Sequence, residues 1–220
     1  MNELYELAIE SAEIELMVTE GVADKTKDLV NKIIEKVKAF VKKMITIITT
    51  KLHEYLAKMK KRTANKSAVN HNVDNDMVSI PKAFTEYERI IPLVHKKIKG
   101  ALEVILRRKE FDPFDYYLGT EMGDMDRAHE NEERVPIKKA RDIINHIIDT
   151  MPAVLKYEQD ALNTITRIAK DFKSSNGDRS EDSRKSIDLL NKILVAERAL
   201  IVFVSDIITR SNQMINQIGY

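Results

Sequence analysis

Apolar residues recur along this chain at intervals of three and four, the spacing that lines one face of an α-helix. Leu4, Leu7, Ala8, Ala12 and Leu16 predict a short helix from Asn2 to Met17, broken by Val18-Thr19-Glu20-Gly21. A second stripe starts after Val22 and runs through Leu29, Ile33, Val37, Phe40, Met44, Ile48, Leu52, Tyr55 and Met59, with lysines on the other faces. Continuous to Ala64, it would make a rod about 64 Å long at a rise of 1.5 Å per residue. The β-branched run Thr46-Ile47-Ile48-Thr49-Thr50 is its weakest place, because such side chains lose rotamer freedom in a helix.

Asn65 to Ile80 has no periodicity and stops at Pro81, which reads as a mobile connection and the best internal hinge. A third helix is expected from Lys82 to Glu110 on Tyr87, Ile91, Val94, Ile98, Leu102 and Ile105, with Pro92 kinking it or delaying its start. Phe111 to Pro136 reads as a long acidic connection whose first half docks through Phe114, Tyr116, Tyr117 and Leu118. A fourth helix, Ile137 to Lys173, carries Ile144, Ile148, Met151, Leu155, Leu162, Ile165, Ala169 and Phe172, and Pro152 marks a bend. After the turn composition Ser174-Ser175-Asn176-Gly177-Asp178, Asp182 is placed to cap a fifth helix bearing Ile187, Leu190, Leu194, Ile201, Val204, Ile208 and Ile215. These last two should pair as an antiparallel hairpin.

The expected fold is therefore all-α, an elongated antiparallel bundle of four long helices with a short N-terminal helix. Its parts are an acidic helix over 1–20, a basic amphipathic helix over 21–66, a connection over 67–81, and a bundle over 82–220 containing the acidic loop 111–136. Composition agrees: glycine and proline are few, 43% of residues are hydrophobic, and helix-favouring side chains dominate. The absence of cysteine excludes disulfides, thiolate metal sites and cysteine nucleophiles, and leans toward the cytoplasm. Uncharged apolar runs such as Met44 to Thr50 fall far short of the roughly 20 residues that span a bilayer. The acidic start, Met1-Asn2-Glu3-Leu4-Tyr5-Glu6, is unlike a secretory signal.

Charge changes the picture more. The net charge of +1 conceals a segregation along the chain. Residues 1–20 hold six Glu and no Lys or Arg, a net of −6. Residues 22–66 hold thirteen Lys and Arg against four acids, a net of +9, and residues 112–135 hold eight acids against two Arg, a net of −6. The basic helix could meet water, a polyanion or an anionic membrane surface, in that order. Its candidate contacts are Lys32, Lys36, Lys38, Lys42, Lys43, Lys58, Lys60, Lys61 and Arg62, mostly lysine with few aromatics, which suits nonspecific phosphate attraction rather than base readout.

Catalytic and metal motifs are missing: no Gly-rich phosphate loop, no Gly-x-Ser-x-Gly, no His-Glu-x-x-His and no Glu-x-x-His. His146 with Asp142 and Asp149 lies off the apolar stripe and reads as a solvated face. His53, His71, His95 and His129 have no partners at telling spacing, and Asp112, Asp115, Asp124 and Asp126 do not follow the EF-hand order. The expectation is a non-enzymatic protein without cofactor or metal.

Val18-Thr19-Glu20-Gly21 resembles the cleavage signal of tailed-phage prohead proteases, an aliphatic residue, any residue, Glu, then a small residue, with Val18 where Leu or Ile is usual. In that family, internal head and scaffold-core proteins carry an N-terminal capsid-targeting peptide that the protease removes inside the prohead. The resemblance covers only the first 21 residues, and Gly21 would equally serve to end a helix. It implies a non-enzymatic structural protein of a tailed phage, made in the host cytoplasm and carried to the virion interior. Capsid or scaffold proteins would be its partners, with nonspecific nucleic acid, a membrane surface or a second copy of the chain as further options. Cutting after Glu20 would shift the net charge from +1 to +7. A cytoplasmic helical adaptor that binds a partner protein is the alternative.

Overall fold

The helical stripes fold against one another in an almost entirely α-helical bundle. The computed structural model describes residues 2–21, 27–64, 76–107, 116, 118–174 and 181–219. Its elements are α1 (Asn2–Gly21), α2 (Lys27–Thr46), a π-helical stretch (Ile47–Leu52), α3 (His53–Ala64), β1 (Met77–Pro81), α4 (Ala83–Arg107), α5 (Gly119–Glu130), β2 (Glu132–Pro136), α6 (Ile137–Ser174) and α7 (Glu181–Ile218).

The longest helices, α6 and α7, run antiparallel as expected. Arg141 near the start of α6 donates to the carbonyls of Ile218 and Gly219 at the end of α7, both at 3.1 Å. At the other end Ala169 of α6 shares an apolar cleft with Ile187 and Leu190 of α7. Arg141 thereby supplies a cation and donors to the electronegative end of α7, where Gly219 turns away at φ 60°. Helix α4 lies on both, α2 and α3 pack on α6, α3 also meets α7, and α1 is laid between α2 and α7. The core positions expected on α4 and α6 are buried wherever their side chains are described; on α7 Leu190, Leu194, Ile201, Val204, Ile208 and Ile215 are buried and Ile187 is half-buried. Pro92 and Pro152 stand inside α4 and α6 on exposed positions, where water can meet the carbonyl left by the missing N–H.

The basic rod is one helical run from Lys27 to Ala64, and its β-branched segment takes the π form. The hydroxyls of Thr46, Thr49 and Thr50 donate to the carbonyls of Lys42, Ile45 and Thr46 at 3.0, 2.9 and 2.7 Å. These bonds draw on carbonyls that an α-helix would use, and His53 N–H instead reaches back five residues to Ile48. The wider turn absorbs one residue, so Leu56 rather than the expected Tyr55 faces the core.

Three sequence expectations need correction. The helix expected to stop at Met17 continues to Gly21, and it buries Leu7, Ser11, Ile14 and Val18 while Ala12 and Leu16 face out. The expected connection ends in a strand: β1 pairs antiparallel with β2, Met77 opposite Pro136 and Pro81 opposite Glu132, with Ile80 and Val135 buried. These strands are too short for an alternation to stand out, and each ends at a proline. The acidic stretch 111–136 is not a loop in its second half, which forms α5 and β2. Helix α5 seats Met125 and Ala128 in the core, and its acids meet α4 through Lys97–Glu121 at 2.7 Å and Arg89–Asp124 at 3.2 Å. Asp124 is held below the ordinary carboxylate range by hydrogen bonds from Arg127 and Arg89. The docking expected of the aromatic cluster is seen at Tyr116, which packs against the core beside Gly100; Phe114 and Tyr117 fall outside the described residues, as do His71 and residues 65–75.

Candidate functional site

The charge segregation becomes an interface. Helix α1 lies antiparallel to α2, with Lys43 donating to Glu6 at 2.8 Å and Glu10 at 2.9 Å, and Lys36 donating to Glu13 at 2.7 Å. The Lys43 hydrogen bond lowers the pKa of Glu6, and the bonds to Glu6 and Glu10 raise that of Lys43. Beneath this polar seam Leu7, Ile14 and Val18 reach the core, and an apolar cleft bounded by Ile14, Val18, Ile33, Ile34, Val37 and Leu190 remains under the helix. The opposite face of α1 leaves Ile9 45% and Leu16 57% exposed.

The cleavage-like tetrapeptide occupies the last turn of α1. Val18 is buried, and the side chains of Thr19 and Glu20 lie outside those described. A protease, which reads an extended strand, would need that turn to unwind and Val18 to leave its seat.

The nine basic residues singled out from sequence divide. Lys36 and Lys43 are taken by α1, and Lys38 pairs with Glu35 at 3.2 Å on its own helix. Arg62 donates to Asn212 and Asn216 of α7 at 2.9 and 3.1 Å, and Lys58 lies 5.7 Å from the Tyr55 ring. Lys32, Lys42, Lys60 and Lys61 are exposed.

A second cluster was missed. Tyr157 and Glu158 of α6, Glu197 of α7 and His95 of α4 interact inside the bundle, and both glutamates are fully buried. The His95 ring stacks on Tyr157 at 3.7 Å between centroids, its Nε2 contacts Glu158 Oε1, and the Tyr157 hydroxyl donates to the His95 carbonyl at 2.9 Å. Glu158 Oε2 and both Glu197 oxygens find no donor among the described residues other than the facing carboxyl group itself. Burial pushes Glu158 up to about 7 and Glu197 well above the usual carboxylate range, the latter raised further by the charge of Glu158. Burial also brings His95 down to about 4 against the pull of Glu197, and takes Tyr157 up to about 12.

Its signal lay in the heptad spacing. Glu158 falls between Leu155 and Leu162, and Glu197 between Leu194 and Ile201, each at a position the apolar stripe should fill. A search for Glu-x-x-His within one helix passes over side chains divided among three. Among the described residues no three His, Asp or Glu side chains are arranged to hold a metal ion. His146 is exposed beside Glu88 at 2.6 Å, and His129 faces Asp206 at 3.1 Å. No described helix is long and apolar enough to cross a membrane.

The chain matches no protein-family model, no curated protein and no solved structure.

Proposed function

We propose that this is a non-enzymatic structural protein of a tailed phage, internal to the head or associated with the capsid, in which α1 is an acidic cover over a basic helix. The observation that carries the reading is the pairing of Glu6, Glu10 and Glu13 with Lys36 and Lys43, immediately ahead of a prohead-protease-like sequence ending at Gly21. Removing residues 1–20 frees those lysines to join the exposed Lys32 and Lys42, and bares Ile33, Ile34 and Val37. The product would present a basic face with an apolar floor, suited to packaged DNA or an acidic capsid wall. Because Leu7 and Ile14 are seated away from the scissile turn, cutting alone would not release the arm; loss of the Val18 seat together with competition for Lys36 and Lys43 would weaken its hold.

Intact-mass analysis of the protein recovered from mature particles tests the processing: the expected chain begins at Gly21, and a chain retaining Met1 contradicts it. The adaptor reading draws on the exposed Ile9 and Leu16, which offer a partner helix an apolar strip. It would be favoured by a partner whose binding is lost in Leu16→Glu while the uncut chain is the functional form.

A further inference from the structure

Two carboxyl groups from neighbouring helices are sealed in the same interior site with three oxygens lacking donors. The donor at hand, His95 Nε2, is committed to Glu158, and the Tyr157 hydroxyl is committed to the His95 carbonyl. Two adjacent buried negative charges in that state would be strongly destabilising. One added proton converts them into a carboxylic acid donating to a carboxylate, supplying the missing donor and halving the charge. We propose that Glu158 and Glu197 hold a single proton between them, and that this shared proton clasps α6 to α7 so that its loss to solvent loosens the bundle.

The groups facing the pair are His95 from α4, Tyr157 from α6, and the two glutamates themselves. Among the described residues, the other elements packed on α6 or α7, namely α1, α2, the π-helical stretch, α3, α5, β1 and β2, contribute no group to the interactions that set the two carboxyls. The upward shifts of both glutamates agree with this arrangement, as does a neutral His95. Their sign fixes the pH window. The folded protein holds more protons on the pair than the unfolded chain, so this stabilisation is complete below the ordinary value of 4.5 and declines as pH rises. His95, brought down to about 4 from 6.5, acts in the opposite sense between those values and is silent above them. Between pH 7 and the ordinary tyrosine value of 10 the decline belongs to the carboxyl pair; above 10 the raised Tyr157, Tyr87 and Lys43 add to it in the same sense.

The test is urea unfolding of the full chain across neutral and alkaline pH, with infrared spectra of the folded protein at neutral pH. The expected results are a folding constant falling by up to about tenfold per pH unit above neutrality, and a protonated-carboxyl C=O band at neutral pH. In Glu197→Gln, whose amide donates to Glu158 permanently, the alkaline decline should flatten and the band disappear. Glu158→Gln serves as the second variant, and the wild-type spectrum needs no variant at all. Absence of the band, an unchanged alkaline decline in both variants, or a stoichiometric metal ion in the purified protein would each overturn the proposal.

Discussion

Ser11 shows at the scale of a residue why the docked face of α1 differs from its apolar pattern. It is 4% exposed while Leu16, five residues on and far more hydrophobic, faces solvent. A small side chain there lets α1 approach its neighbours, and Leu7, Ile14 and Val18 on either side fill the contact. Leu7→Ala should therefore cost about 2–5 kcal/mol, the range for a buried leucine; an unchanged urea midpoint would mean that α1 is not seated. Ser11→Leu should also destabilise, by about 1–3 kcal/mol through overpacking, a change that hydrophobicity alone would score as favourable. The polar seam follows pH in the usual acid direction: Glu6 is held below its ordinary 4.5, so its contribution is present above that value and lost as pH falls.

At the scale of elements, long stripes were legible and short or irregular segments were not. Helices α4, α6 and α7 each repeat their apolar spacing over many turns, and the structure sets their ends within a few residues of the pattern. Strand β1 offers only Val78, Ile80 and its terminal Pro81 as apolar positions that reach inward, and α5 hides Met125 and Ala128 among acids two of which, Glu121 and Asp124, have partners on α4. Those charges suggested a solvated loop because Arg89 and Lys97, which meet Asp124 and Glu121, are remote in sequence. The buried glutamates were written in the heptads of α6 and α7, but as polar residues at core positions rather than as a motif; such residues can also fix the register of packed helices. The π stretch carries a test of its own. Since it accommodates one extra residue, deleting the exposed Thr49 should restore i to i−4 bonding and keep Leu56 and Met59 inward. The deletion variant is expected to fold with an unfolding midpoint at or above wild type, whereas a molten, weakly cooperative product would show that the π turn is required.

Over the whole molecule, charge is arranged to cancel internally. Acidic α1 covers part of basic α2, and acidic α5 is matched by α4, so the near-neutral total describes the assembled bundle while its separated parts are strongly charged. The interface of α1 joins exposed ion pairs, which salt weakens, to a buried apolar face, which salt does not. Such an arm would be stable in place yet dependent on lysines that a polyanion could claim. Binding of duplex DNA by residues 1–220 and by residues 21–220, titrated against salt, measures this directly. The shorter chain should bind at low salt with log affinity falling against log salt at a slope of about −3 to −4 if the four lysines of α2 engage phosphates, and the full chain should bind much more weakly. Equal binding by the two chains, or no binding by the shorter one while it remains folded, would contradict the account of α1 as a cover.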